Sequence, residues 1–221
     1  MKDHAAYTSH SVVALLVMAL VSTVGIAGWW GSNLPATAAD RLLGVSGAGR
    51  WLAAIILGTF AMWDIPTSLR VQSLRKWDVI IHHIVMMVIA FAGSTILPMH
   101  YILYYFGVAE ISSIPLVAYD QVQEWKKETK SNHNNLQFLE LALGAITVIF
   151  FTWIRAISFP MVTVTRFLPD CWTVLSSPSL LVATAHLRWS IRLLMAGSIC
   201  FTALQLVWFS GMVKLIFSKE E

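Results

Sequence analysis

The sequence predicts an all-α, polytopic membrane protein, a bundle of about six transmembrane helices, on three observations. The chain of 221 residues is 57% hydrophobic and only 12% charged. Its mean hydropathy, +0.68, lies far outside the range of a soluble domain. Six apolar stretches, residues 11–30, 51–69, 79–97, 101–119, 136–159 and 191–217, are each long enough to cross about 30 Å of hydrocarbon.

The first stretch follows Lys2 and ends in the small residues "GIAG", as a secretory signal would, but its apolar run is longer than a signal core and reads as a span. The second ends in "MWDIP" and the third begins "WDVIIHHIVMMVIA", with Asp78 where a helix cap belongs. The fourth contains "GVAEISSIPLVAYD", the fifth "FFTWIRAISFP", and the sixth runs nearly to the C-terminus. Polar connections are predicted at residues 120–135 and 160–190, the first a solvated loop in which His133 has no role. Residues 177–190 have the character of an interfacial or re-entrant helix, which would bring His186 towards a cavity. Cys171 falls in that second connection and Cys200 in the last span, so no disulfide is expected. Trp29, Trp30, Trp51, Trp77 and Trp125 sit near span ends, as an interfacial belt requires.

The formal net charge is +3, carried mainly by short loops, and reads as a topology signal rather than as a nucleic-acid footprint. Lys2, Arg70, Arg75, Lys76, Lys126, Lys127, Lys130, Lys214 and Lys219 fall on one side, against Arg41, Arg50, Arg166, Arg188 and Arg192 on the other. The positive-inside rule then puts both termini in the cytoplasm.

Asp64, His82, His83, Glu110 and Arg155 all fall within spans. An ionised group at mid-bilayer costs roughly 2.5–3.5 kcal/mol, so such residues are expected to share an interior cavity. Neighbours on a helix point about 100° apart, which gives His82 and His83 different tasks. Asp78, four residues before His82, is placed to hold it in one tautomer and free His83, or the roles are reversed. Glu110 is either the partner of Arg155 or a histidine, or an acid/base group; Ser112, Ser113 and Pro115 loosen its helix and offer hydrogen bonds. Arg155, near the predicted end of its span, is expected to snorkel to the interface. The spacing of His82 and His83 suits no metal, and no cofactor is expected.

The order "MWDIP", "IHHIVMMVIA", "GVAEISSIPLVAYD", "FFTWIRAISFP" resembles the TLC domain, the membrane module of ceramide synthases and translocating-chain-associated proteins, over residues 50–217. The resemblance divides the chain into residues 1–49 (N-terminal tail, first helix and loop), the TLC-like core at 50–217, and a short cytoplasmic tail at 218–221. It implies six helices around a lipid-sized cavity and a role in sphingolipid or phospholipid metabolism, at the endoplasmic reticulum. It also implies that His82 and His83 carry transfer of an acyl group from acyl-CoA to the amine of a sphingoid base; Glu110 joins them as a candidate catalytic residue because the three are expected to share one cavity. Asp64, Asp78, Ser112, Ser113 and Arg155 would support the substrate. Ceramide synthases have a histidine–aspartate pair and a further aspartate in the span after the paired histidines. Here that region reads Ala109, Glu110, Ile111, Ser112, Ser113, so the chain is closer to the small TLC domain-containing proteins. Two alternatives stand beside the enzyme: a non-catalytic regulator of membrane lipid composition, and an ion-coupled lipid transporter, for which "WDIP" and "EISSIP" would mark paired broken helices.

Overall fold

A computed structural model describes residues 2–31, 34–97, 99–129, 134–177 and 185–217; His133 lies outside them. Among the described residues there is no strand, and six helices are long and apolar enough to cross a membrane. The first is α1 (Lys2–Gly31). The second, Ala38–Arg70, is built from α2 (Ala38–Leu43), α3 (Gly47–Thr59), a π-helical turn at Phe60–Asp64, and α4 (Ile65–Arg70). The third is α5 (Trp77–Thr95). The fourth, Ile102–Lys127, joins α6 (Ile102–Tyr105) through a 3-10 turn at Val108–Ser112 to α7 (Ser113–Thr129). The fifth, Asn135–Ser176, comprises α8 (Asn134–Phe150), α9 (Phe159–Val162) and α10 (Leu168–Ser176), with π-helical turns at Phe151–Ser158 and Thr163–Phe167 between them. The sixth lies within α11 (Ala185–Phe217).

The irregular turns follow from proline. A proline inside a helix has no N–H to donate, and its ring clashes with the carbonyl four residues earlier; widening or tightening the preceding turn relieves both. Pro66, Pro160 and Pro169 each follow a π-helical turn, and Pro115 follows the 3-10 turn. Asp64, Glu110, Ser112 and Arg155 lie on these turns.

This device corrects the expected loop at residues 160–190: residues 160–176 continue the fifth helix, and Cys171 is buried in α10. Thr163, Thr165 and Thr173 return their hydroxyls to carbonyls one turn back, at Phe159 (2.8 Å), Met161 (2.7 Å) and Pro169 (2.8 Å), so polar residues sit in the helix without unmet hydrogen bonds. Asp170 is neutralised by a two-pronged bond from Arg41 (2.5 and 2.7 Å) and accepts from the Tyr101 hydroxyl at 2.5 Å. Arg41 also donates to the carbonyls of Pro35 (2.8 Å) and Ala36 (3.0 Å), tying together the ends of three spans. His100 stacks on Trp29 beside this knot, and burial with the nearby Arg41 charge lowers its pKa below the ordinary value.

The fourth helix is the hub of the bundle. Of its most apolar stretch 56% is buried, against 17–33% in the other spans. It meets α1 at a point of backbone contact, where a Cβ added at Gly25 would lie 2.7 Å from the Gly107 carbonyl carbon and 2.8 Å from the Leu103 oxygen. Backbone cannot yield as a side chain does, so Gly25→Ala is expected to destabilise by about 1–3 kcal/mol, the range for overpacking. A lowered thermal midpoint of the purified protein would register this; an unchanged midpoint would show that the helices slide apart freely.

Candidate active site

The prolyl turn of the second helix supplies the first two groups. The π-helical turn places Phe60 and Asp64 towards α5, where the Phe60 ring stacks on His83 at 4.7 Å and the Asp64 carboxylate accepts a hydrogen bond from His83 Nδ1. The other carboxylate oxygen accepts from His10 Nε2 of α1 at 2.8 Å. One carboxylate thus bridges two imidazoles from different helices. With Nδ1–H committed to Asp64, the lone pair of His83 is on Nε2, the tautomer that a general base needs.

His82 is differently placed. Its ring packs edge-on against Phe201 (5.2 Å) and Trp208 (5.1 Å) of α11, and its buried Nδ1 has no hydrogen-bond partner among the described residues. Asp78 does not hold it: the helix cap is Lys76, and Asp78 sits exposed in the first turn of α5. The expectation fails because His82 is turned to α11, away from the face on which Asp78 meets water.

The opposite wall carries a second polar group. Arg155, in the π-helical turn of the fifth helix, donates to Ser112 Oγ (2.9 Å) and Ser113 Oγ (3.0 Å) and lies 3.2 Å from Glu110 Oε2. Glu110 also accepts from Ser113 at 2.7 Å. Arg155 is only 7% exposed, so it does not snorkel; the fifth helix runs on to Ser176, well beyond the expected end at residue 159, which leaves Arg155 at depth with Glu110 as its counter-charge. Of the two roles expected for Glu110, the geometry matches that of partner to Arg155.

These groups line a cavity of about 280 Å³, whose walls include His10, Asp64, His82, His83, Glu110, Ser112, Ser113 and Arg155. Tyr7, Ser73, Lys76 and Asp120 belong to its wall as well, towards the end of the bundle where the second and third spans are joined. A smaller apolar pocket of about 50 Å³, lined by Ile89, Ile102, Tyr105, Phe159 and Phe201 among others, shares four wall residues with it: His82, Met86, Arg155 and Gln205.

Five of the residues singled out from sequence, with the two serines, therefore come together, and Asp78 does not. His186 is exposed at the start of α11 and lines neither cavity. Residues 178–184 of the expected re-entrant segment lie outside the described residues. Sequence reasoning missed His10 and Gln205. The available signal was a polar side chain within or at the head of an apolar helix, the same signal that singled out Asp64 and Glu110. Among the described residues no cluster of three or more histidine, cysteine or carboxylate side chains could hold a metal ion.

The family model described as TLC domain matches residues 2–214. No curated protein and no solved structure matches the chain.

Proposed function

Because this chain belongs to the TLC domain family, we propose that it is an intramembrane lipid acyltransferase in which His83 is the general base, Asp64 and His10 fix its orientation, and Arg155 supplies positive charge beside the reacting carbonyl. The substrates are an acyl-CoA and a lipid amine of the sphingoid type. The observation that carries this reading is the Asp64 carboxylate bonded to His83 Nδ1 on the wall of a cavity between helices.

In the reaction the amine nitrogen attacks the thioester carbonyl carbon while His83 Nε2 takes its proton. The tetrahedral intermediate collapses, the C–S bond breaks as the C–N bond persists, and the imidazolium returns the proton to the departing thiolate. The carboxylate stabilises the imidazolium between these two transfers. Buried positive charge on Arg155 stabilises the developing oxyanion. Lys76 beside the cavity suits a phosphate-bearing donor entering from the cytoplasm, the side that the positive-inside rule assigns to this end of the bundle. The membrane that the family reading favours is the endoplasmic reticulum.

Lipid profiles of cells expressing the wild type, His83→Ala and His82→Ala at matched membrane abundance test the reading. An N-acylated lipid class is expected to rise with the wild type and to stay at background with His83→Ala. An equal rise with His83→Ala would discard the enzyme in favour of a non-catalytic regulator.

A further inference from the structure

The Gln205 side chain is only 1% exposed, and its Oε1 has no hydrogen-bond partner among the described residues. It sits in the wall shared by the polar cavity and the apolar pocket, together with His82, whose buried Nδ1 also lacks a partner. Two orphaned polar atoms on one wall are costly, because each has left water without replacing its hydrogen bond. Among the described residues neither atom is bonded to another helix. Both residues line both spaces, so their side chains are within reach of whatever occupies them.

The two spaces differ in kind. On one side the wall holds the Asp64, His83 and Glu110 groups. On the other it holds Ile89, Ile102, Phe159 and Phe201. A molecule lying across the junction is polar at one end and hydrocarbon at the other, with its change of character at Gln205 and His82.

We propose that the Gln205 carboxamide and His82 Nδ1 form a clasp for an amide or hydroxyl group at the head of a hydrocarbon tail, with the start of the tail in the apolar pocket. The proposal rests on the reading of the cavity as a lipid site. The chemistry follows from the atoms. A carboxamide both donates and accepts, so its oxygen is satisfied only by a ligand that brings an N–H or O–H. An ester of the same tail brings acceptors alone and leaves Gln205 Oε1 orphaned. Discrimination between the two is expected to be about tenfold, the effect of one buried polar group left without a partner. Gln205 is on this account a specificity residue and takes no part in proton transfer.

The test is equilibrium binding to the purified full chain in detergent, with radiolabelled dodecanamide and with methyl dodecanoate, which carry the same number of carbons in the acyl chain. The wild type is expected to prefer the amide about tenfold. Gln205→Leu is expected to abolish that preference by weakening amide binding while leaving the ester unchanged. Its ligand-free thermal midpoint should equal or exceed that of the wild type, since the change removes an orphaned polar group. Equal affinities for the two probes in the wild type would overturn the proposal. So would a Gln205→Leu variant that keeps the preference, or one whose ligand-free midpoint falls, which would mean that Gln205 has a structural partner in the fold. Should Gln205→Leu fail to yield folded protein, Gln205→Met carries the same comparison. Binding is read without turnover, so failure of the clasp and failure of the acyltransferase reading are separate results.

Discussion

Asp64→Asn is expected to lower turnover by roughly two to four orders of magnitude while leaving the fold in place. The carboxylate accepts from His83 Nδ1 and from His10 Nε2 at once. An asparagine has one oxygen and one NH₂, so one imidazole must present its lone pair to the amide rather than its N–H. If His83 makes that change, its proton moves to Nε2 and the base is lost; if His10 does, the negative charge that steadies the imidazolium is still gone. Either way the loss falls on the chemical step, so a fall in kcat with little change in KM is the expected pattern. Asn fits the same space, and the protein should fold and insert normally. Unchanged turnover would show that the carboxylate only bridges helices.

The largest expected effect on stability is at Arg155. Arg155→Leu leaves Glu110 buried without its counter-charge and strips the hydroxyls of Ser112 and Ser113 of their donor. Breaking a buried pair from one side costs about 3–5 kcal/mol, enough to unfold many proteins. The double variant Arg155→Leu/Glu110→Gln removes both charges and is expected to recover much of that loss. Thermal unfolding of the three proteins in one detergent gives the comparison. A double variant as unstable as Arg155→Leu would show that Arg155 holds the fold by packing, with Glu110 incidental.

What the sequence disclosed and what it hid divide along range of interaction. Hydropathy marks the six spans, because crossing the bilayer is a property of each segment alone. It also exposes Asp64, His82, His83, Glu110 and Arg155, because a polar residue in such a segment stands out. The continuation of the fifth helix through Pro160 and Pro169 was hidden. Prolines, threonines, Arg166 and Asp170 read locally as a loop, and only π-helical turns, hydroxyls bonded back to carbonyls, and the ion pair with Arg41, far off in the chain, make a helix of them. The same holds in the site. The pairing of Asp64 with His83 spans 19 residues and that with His10 spans 54, so neither follows from a motif. Asp78 offered the local, one-turn answer for the histidine pair, and the fold turned His82 towards α11 instead.

The central claim is that His83, held by Asp64, performs acyl transfer. Its most direct test is release of free CoA thiol by the purified protein in proteoliposomes supplied with an acyl-CoA and a sphingoid base, comparing wild type with His83→Ala. The account predicts thiol release that requires the amine in the wild type and falls to background in the variant. Release by His83→Ala at the wild-type rate, or none from a folded wild type across acyl-CoA chain lengths, would contradict it.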